Sequence, residues 1–329
     1  MTELDALNES LQTLSISDVN IVKPPLKWVG GKTQIIKDIL NVFPSVINNY
    51  YEPFLGGGSV LFALLSYIKA NKITLNGKIY ASDINPNLIY FYINIQNNPQ
   101  LLIQEITKIT NQFNQITGNI VNRKPKTLQE ANTSQESYYY WIRSKFNLLD
   151  DTNKSNPEAS AMLLFLNKTC FRGIYRESSN GFNVPFGNYK NPSIFDESHI
   201  LHLSQLIEDV QFSIKSFEYV VDNIVENDFA YFDPPYVPEN SKSFVSYNVN
   251  GFDIDKHKSL FNICQQINNK SIKFLMSNSY VKLVTDTFTP PNYNIKIIQC
   301  KRTINSKKPQ SKTNEVIISN NLLTLPITE

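Results

Sequence analysis

The sequence contains few cysteines, and none of them is placed to form a structural framework. Cys170, Cys264 and Cys300 are the only three among 329 residues, and they lie far apart along the chain. An odd number at this spacing gives neither a disulfide scaffold nor the paired ligands of a zinc site. The scarcity of cysteine is typical of a protein from a reducing, intracellular compartment.

The sequence also lacks a long apolar segment. It begins Met-Thr-Glu-Leu-Asp, without the basic and then apolar pattern of a secretory signal. No run approaches the ~20 apolar residues that a membrane-spanning helix needs. We therefore expect an intracellular protein without a membrane partner.

Charge of one sign is not in excess either. The chain has 31 basic and 29 acidic residues, which gives a formal net charge of +2. This balance neither requires nor excludes a nucleic-acid partner, so the local clustering of charge decides. What the sequence does contain is a hydrophobic share of 41%, which is enough for a substantial core in one large domain or two moderate ones.

The order of the predicted elements indicates a doubly wound α/β sheet. A short strand at 50–54 is followed by a tight turn at 55–58 and a buried helix at 59–69. A second strand at 78–82 then ends at Asp83. Strand, glycine turn, helix, strand and acid in this order are typical of the first half of such a sheet.

The regular alternation is interrupted over residues 97–204, where three helices and a polar loop are predicted instead. The α/β pattern resumes with four further strands, at 228–232, 271–276, 293–300 and 315–319. We therefore predict three parts: an N-terminal extension over 1–22, an α/β domain formed by 23–96 and 205–329, and an inserted, mostly helical subdomain over 97–204.

The glycine turn and the following acid together predict a ligand site. Glycines between Phe54 and Gly58 allow a close backbone approach at the carboxyl end of a strand. Asp83 ends the next strand and could bind a pair of ribose hydroxyls, although it lies somewhat beyond the usual separation of about 20 residues. From these residues alone, a dinucleotide, a nucleotide or an S-adenosylmethionine site and a plain tight turn all remain open.

The most specific signal is the tetrapeptide Asp233-Pro234-Pro235-Tyr236, which follows a predicted strand. The exocyclic amine of adenine is a poor nucleophile because its lone pair is delocalised into the ring. A carboxylate from Asp233 and a carbonyl from Pro234, held rigid by the proline pair, could both accept amine hydrogens and localise that lone pair. Tyr236 offers a ring on which an extruded base can stack. Such a site needs neither a metal nor a covalent intermediate, although a strand end stopped by two prolines also fits the tetrapeptide alone.

Other patterns carry weaker indications. His199 and His202 lie three positions apart on a predicted helix, but no third ligand is near them, so we expect no metal site. Lys32 follows two glycines without the Gly-x-x-x-x-Gly-Lys form of a phosphate loop, which argues against nucleotide hydrolysis. The aromatic run at 138–141 could stack bases but is predicted to be the packing face of a helix.

Taken together, these motifs resemble the Dam-type family of DNA adenine-N6 methyltransferases. The match covers roughly residues 24–320: segment 25–32 is similar to the family's N-terminal cofactor loop, 52–59 to its glycine motif and 233–236 to its catalytic motif. The resemblance implies a Rossmann-like, S-adenosylmethionine-dependent methyltransferase sheet with a target-recognition insert. It also implies double-stranded DNA as a partner and makes a cognate restriction endonuclease a candidate partner.

The resemblance implies roles for individual residues in a cofactor pocket. Trp28 would form an aromatic wall, Lys32 would pair with the methionine carboxylate, and Asp83 would hold the ribose. Asp233 would lie between the cofactor and the target base. The rest of the implied cofactor set is Phe54, Gly56 and Gly58.

Contacts to DNA are expected from two segments. The loop that ends at 181–187 resembles the family's DNA-reading segment, with three residues as base or phosphate contacts: Arg172, Arg176 and Asn183. The stretch 301–312 holds five basic and no acidic residues. Within it Lys307 and Lys308 are predicted to contact phosphates, with a solvated hairpin tip as the alternative. The resemblance implies a short palindromic target, CATG or otherwise a GATC-like sequence.

Two other functions also fit the sequence. Methyltransferases that act on RNA or on a protein glutamine amide use a similar tetrapeptide, but the glutamine enzymes usually begin it with Asn, where this chain has Asp233. The large insert also favours duplex DNA as the substrate. A catalytically silent DNA-binding relative is the second alternative, and it is disfavoured because none of the motifs is broken.

Overall fold

The computed structural model of the chain describes residues 19–238, 252–301 and 312–320. In these ranges the strands are β1 (Val46–Ile47), β2 (Tyr50–Glu52), β3 (Thr74–Leu75), β4 (Ile79–Asp83), β5 (Glu177–Ser178), β6 (Gly181–Phe182), β7 (Val210–Ile214), β8 (Phe229–Phe232), β9 (Lys273–Ser279), β10 (Tyr293–Lys301) and β11 (Lys312–Asn320). The α-helices are α1 (Ile36–Leu40), α2 (Ser59–Lys69), α3 (Pro86–Asn97), α4 (Pro99–Gln115), α5 (Leu128–Ala131), α6 (Gln135–Leu148), α7 (Asp151–Lys154), α8 (Pro157–Thr169), α9 (Glu197–Leu206), α10 (Tyr219–Asn223), α11 (Ile254–Asn269) and α12 (Lys282–Thr287).

Seven of these strands form one mostly parallel sheet in the order β10-β11-β9-β8-β2-β4-β7. The five strands from β9 to β7 in this order run parallel, whereas β11 is antiparallel to both of its neighbours. Chain order runs outward from the centre in both directions, through β2, β4 and β7 on one side and through β8 and β9 on the other. The predicted doubly wound, Rossmann-like α/β fold is thus confirmed, and its crevice lies between β2 and β8.

The sheet is buried on both faces, and neighbouring residues of one strand contribute to different cores. Tyr50 and Tyr231 belong to the larger cluster, which joins the sheet to α1, α2, α3 and the helices after them. Tyr51 and Phe232 belong to the second cluster, on the face covered by α11 and α12. This alternation follows from the period of two along a strand. It explains why β8 reads as a continuous apolar run.

Helices α4 to α9 lie between β4 and β7 in the chain. The central one, α8, begins at Pro157 with Asn156 as its cap, since the Asn156 side chain accepts a hydrogen bond from the Ala159 N–H. It is buried along most of its length and packs against α4 and α6. On α6, Tyr138 and Tyr139 are fully buried, which confirms that the aromatic run is a packing face. None of the helices in the described residues has the length and apolarity needed to cross a membrane.

Candidate active site

Two motifs that are remote in sequence meet at the centre of the sheet. Strand β2 ends at Glu52 and leads into the turn that contains Gly56, while the neighbouring strand β8 ends at Phe232 and leads into Asp233. The carboxyl ends of these parallel strands lie at the same edge, at the point where the chain order reverses. This is the position at which open α/β sheets bind their ligands.

The glycine turn at 55–58 packs against the ring of Trp28. Gly56 and Gly58 have φ values of +49° and +72°, in the left-handed region that disfavours other residues. A Cβ atom on Gly56 would lie 3.0 Å from Cδ1 of Trp28, and one on Gly58 would lie 2.8 Å from Cε2 of Phe62. The absence of side chains here therefore allows the segment around Trp28 to close over the turn.

Asp83 is fixed beside this turn by the backbone. Its Oδ2 accepts a hydrogen bond from the Gly56 N–H at 3.0 Å, and its Oδ1 accepts one from the Asn85 N–H at 2.9 Å. Burial raises the pKa of the carboxyl group, while these hydrogen bonds act in the opposite direction. Ile84, directly after it, leaves 69% of its surface exposed, and Ile214, opposite Asp83 on β7, leaves 43% exposed. The sequence analysis missed this apolar surface, although an isoleucine directly after the acid was a readable signal.

The first residue of the proline tetrapeptide, Asp233, forms an ion pair with a buried lysine. The Nζ of Lys32 lies 2.7 Å from Oδ2 of Asp233 and also donates to the Gly30 carbonyl at 2.5 Å. Lys32 is only 4% exposed, so its charge requires such partners. Burial raises the pKa of Asp233 to about 6, and the positive charge of Lys32 counteracts part of this effect. The two residues were predicted for one pocket, but their direct pairing was not predicted.

Tyr236 is held by residues that the sequence analysis did not identify. Its hydroxyl donates to Oε2 of Glu315 at 2.9 Å, and its ring centroid lies 4.9 Å from Nζ of Lys32. The next residue, Val237, donates its N–H to Oδ1 of Asn278 at 3.1 Å. Glu315 and Asn278 belong to β11 and β9, so the sheet order alone brings them to the tetrapeptide.

A second buried acid lies at the end of β2. Glu52 is 2% exposed, and the hydroxyl of Tyr50 donates to its Oε2 at 2.7 Å. Burial raises the pKa of Glu52 to about 8, and the negative charge of Asp233 adds to this increase. Glu52 was assigned to the glycine motif in the sequence but was given no role of its own.

The loop after α8 contacts the N-terminal loop. The ring of Tyr175 stacks on that of Trp28, with centroids 5.1 Å apart and planes inclined by 27°. Its hydroxyl accepts a hydrogen bond from Nδ2 of Asn87 at 3.1 Å and donates to Glu177. Trp28 thus lies between the glycine turn and this loop, so it is part of the wall that the two segments share.

Of the residues predicted to contact DNA in this loop, Arg172 and Arg176 are exposed and Asn183 is half-buried. Nε of Arg176 donates to Oδ1 of Asn183 at 2.6 Å, across the hairpin formed by β5 and β6. Arg172 is in the left-handed region with a φ of +58°, and its guanidinium lies 5.1 Å from the ring of Phe171. Phe171 itself leaves 46% of its surface exposed. Lys307 and Lys308 lie outside the described residues.

A cavity of about 490 Å³ lies between three parts of the chain. It is lined by residues of the N-terminal loop from 27 to 35, by 172–174 of the loop after α8, and by Cys300 and Glu315. Its volume is within the usual range for small-molecule and nucleobase pockets, roughly 300–1,000 Å³. Within the described ranges, no group of three or more His, Cys, Asp or Glu side chains is arranged to hold a metal ion.

Comparison with known proteins identifies the class to which this fold and site belong. The chain belongs to the family of D12 class N6 adenine-specific DNA methyltransferases, whose model matches residues 28–304. It is accordingly an adenine-specific DNA methyltransferase, as the sequence motifs predicted, and its substrate is DNA rather than RNA or a protein glutamine.

Curated relatives are similar over almost their whole length. The type II methyltransferase M.MjaIII of Methanocaldococcus jannaschii is 36% identical over 310 residues, which cover 91% of this chain and 99% of the relative. The type II methyltransferase M1.LlaDCHI of Lactococcus lactis subsp. cremoris is 30% identical over 94% of this chain and 99% of its own. The DNA adenine methylase of Haemophilus influenzae is 28% identical over 88% and 90%, respectively.

Proposed function

We propose that the crevice between β2 and β8 binds S-adenosylmethionine and that the site transfers its methyl group to N6 of an adenine extruded from duplex DNA. The observation that carries this proposal is the position of Asp233 at the switch point of the sheet, where it is paired with the buried Lys32 and where the neighbouring strand β2 leads into the glycine turn that Asp83 holds. The bound cofactor would supply an electrophilic methyl group. The steps that follow concern the residues of the chain itself.

The residues at this edge fit the chemical groups of the cofactor. A carboxylate has about four acceptor sites, so Asp83 retains capacity for a ribose hydroxyl after accepting its backbone hydrogen bonds. The exposed surface of Ile84 would cover an adenine ring, and burial of that surface would be favourable. Trp28, Phe54, Gly56 and Gly58 would shape the remaining walls.

Lys32 would contact both the cofactor and Asp233. An ammonium group has three N–H donors. Two of them are directed at the Gly30 carbonyl and at Asp233, and the third would meet the carboxylate of the methionine moiety. The same side chain would thus bind the cofactor and keep the carboxyl group of Asp233 ionised.

Asp233 and Pro234 would activate the target amine. The carboxylate of Asp233 would accept one amine hydrogen and the Pro234 carbonyl the other, which localises the lone pair on N6. Pro234 is buried and its ring locks φ, so its carbonyl is held in place. Tyr236 would stack on the extruded base. Catalysis would then rest on fixed acceptors in a site with little water.

The helical part of the chain would read the DNA sequence. We propose residues 97–204 as the target-recognition subdomain, 23–96 and 205–329 as the catalytic domain, and 1–22 as an N-terminal extension. Three residues of the loop after α8 would contact bases or phosphates: the exposed Arg172 and Arg176 and the half-buried Asn183. Lys307 and Lys308 would contact phosphates only.

The target would be a short palindrome, CATG or otherwise a GATC-like sequence. Two of the relatives are named as type II methyltransferases. Their names support a cognate restriction endonuclease as a partner of this enzyme in the cell. Mapping N6-methyladenine across the DNA of a host that expresses the protein would reveal the recognition sequence directly.

The test of the proposed reaction compares wild type with Asp233→Ala. We expect the variant to lose most of its turnover with radiolabelled S-adenosylmethionine and duplex DNA, while DNA affinity changes little. Asp233→Asn keeps the shape of the side chain and serves as the control for folding. A folded Asp233→Ala enzyme with near-normal turnover would refute the catalytic assignment.

A further inference from the structure

Glu315 is the residue of β11 that contacts the proline tetrapeptide at 233–236. It is paired with Ser279 across the antiparallel ladder between β11 and β9, so its side chain lies at the carboxyl end of β9. Its Oε2 accepts a hydrogen bond of 2.9 Å from the hydroxyl of Tyr236. Burial and the nearby carboxylate of Glu315 raise the pKa of the Cys300 thiol on β10. Glu315 also lines the cavity of about 490 Å³.

The backbone after Tyr236 is fixed from the neighbouring strand. The N–H of Val237 donates to Oδ1 of Asn278 at 3.1 Å, and the carbonyl of Val237 accepts from the hydroxyl of Ser279 at 2.5 Å. These two contacts hold the peptide but leave rotation about the side-chain bonds of Tyr236 open. The hydrogen bond to Glu315 is the contact that fixes the tip of the ring, so backbone and side chain are fixed by different strands.

The electrostatic setting keeps this hydrogen bond in place. Burial raises the pKa of Tyr236 well above its ordinary value, and the negative charges of Asp233 and Glu315 raise it further. The phenol therefore remains a donor throughout the neutral range. A hydrogen bond to an ionised acceptor is stronger than one between neutral groups.

We propose that Glu315 is a positioning residue of the methyl transfer, which holds the hydroxyl of Tyr236 so that the aromatic ring is oriented before the extruded adenine arrives. The proposal rests on the proposed stacking role of Tyr236. Glu315 itself touches neither the reacting nitrogen nor the methyl group. Its effect passes through one hydrogen bond, which can be removed from either end.

The experiment is a double-mutant cycle with Glu315→Ala and Tyr236→Phe, read by single-turnover methyl transfer and by DNA binding. Each single variant removes the same hydrogen bond, and we expect each to lower the single-turnover rate roughly ten- to a hundredfold with DNA affinity nearly unchanged. The double variant should be no slower than either single one, because the interaction is already lost. Glu315→Gln should recover most of the rate, since its amide oxygen can accept from the phenol.

Two results would overturn the proposal. Additive losses in the double variant would mean that Glu315 acts through another group, and a wild-type rate for Tyr236→Phe would mean that the hydroxyl is dispensable. Tyr236→Phe keeps the ring, so it remains informative even if Glu315→Ala does not fold. Asn314→Ala, on the exposed neighbour in β11, is the matched control and should retain the wild-type rate.

A separate measurement distinguishes this proposal from the proposed function. Tyr236→Ala removes the ring itself and should abolish stacking on 2-aminopurine at the target position, which is read as a change in its fluorescence. If Tyr236→Ala methylates normally, the stacking role is wrong. If Tyr236→Ala is inactive while Glu315→Ala is unaffected, only the positioning role of Glu315 is wrong.

Discussion

The proposed role of Asp233 as an acceptor of amine hydrogens predicts that methyl transfer depends on pH. Burial raises the pKa of this carboxyl group to about 6. Because only the carboxylate accepts amine hydrogens effectively, we expect kcat/KM to rise as the pH increases through about 6 and to level off above neutrality. Initial rates of methyl transfer at subsaturating DNA over this range would test it. A flat profile through that region would show that another group governs the reaction.

The charge of Lys32 should determine the pH at which kcat/KM rises. Its Nζ lies 2.7 Å from the carboxylate, and an adjacent positive charge lowers the pKa of an aspartate by roughly one to three units. In Lys32→Met we therefore expect the acid limb of the rate profile to move to higher pH by that amount. Lys72→Met, on an exposed lysine, should leave the limb unchanged. An unmoved limb in Lys32→Met would contradict the electrostatic role.

Glu52 should make the stability of the fold depend on pH in a defined direction. Its pKa is raised from 4.5 to about 8 by burial, so between these values the folded chain keeps a proton that the unfolded chain has lost. The free energy of unfolding should then fall as the pH rises from about 4.5 to about 8, with a total change on the order of a few kcal/mol.

Replacing Glu52 by glutamine provides the check. The amide does not ionise, so Glu52→Gln should show a flatter dependence of unfolding free energy on pH and should gain stability relative to wild type at about pH 8. Urea denaturation at two pH values measures this difference. Glu208→Gln, on an exposed acid, is the control. Parallel curves for wild type and Glu52→Gln would show that the acid is not the source of the pH dependence.

At the scale of elements, the hairpin formed by β5 and β6 links two residues predicted to contact DNA. Arg176 donates to Asn183 at 2.6 Å, so the two side chains form one unit. We expect Arg176→Ala and Asn183→Ala to relax sequence preference to a similar extent, because a bidentate arginine contact carries roughly 1–3 kcal/mol of base discrimination. Methylation of all single-base variants of the target would measure it. Unchanged preference in Asn183→Ala alone would show that the two residues act separately.

Some elements were predictable from their local sequence, whereas others with an equally regular pattern were missed. Helix α2 was predicted with its observed bounds, Ser59–Lys69, because its apolar residues lie between a glycine turn and a polar segment. Strand β7, Val210–Ile214, was missed although its apolar residues Val210, Phe212 and Ile214 alternate with polar ones, because the segment is only five residues long. Helix α11 was missed although five buried residues recur at helical spacing: His257, Leu260, Phe261, Cys264 and Ile267.

The same division applies to the site. Asp233 and its neighbours are contiguous, so their chemistry was readable from a tetrapeptide. Glu315 and Asn278 belong to strands that reach the tetrapeptide only through the order of the sheet, and nothing in their local sequence marks them. The Lys32–Asp233 pair joins two motifs whose separate predictions gave no information on distance.

At the scale of the whole molecule, three parts of the chain that are remote in sequence meet beside the candidate site. The N-terminal loop, the loop after α8 and the last two strands all line the same cavity. Trp28 of the N-terminal loop stacks on Tyr175 of the loop after α8. Glu315 of β11 accepts a hydrogen bond from Tyr236 and so joins the last strands to the proline tetrapeptide. The order of the parallel strands on each side of the crevice follows from the connectivity rules of α/β sheets. The position of β11 within the sheet could not be inferred from its sequence.

The position of β11 has a consequence for the nascent chain. In the finished sheet it separates β9 from β10, although both are synthesised before it. At about 5–20 residues per second, the segment from the end of β10 to the end of β11 takes roughly one to four seconds to synthesise. Until β11 has paired with it, β9 has an open edge at Phe274, Leu275 and Met276, which a neighbouring polypeptide on the same polysome could join. The pairing of β11 covers the edge of β9 and brings Glu315 to Tyr236 in the same step, so the outer edge of the sheet moves to β10 as the candidate site is assembled.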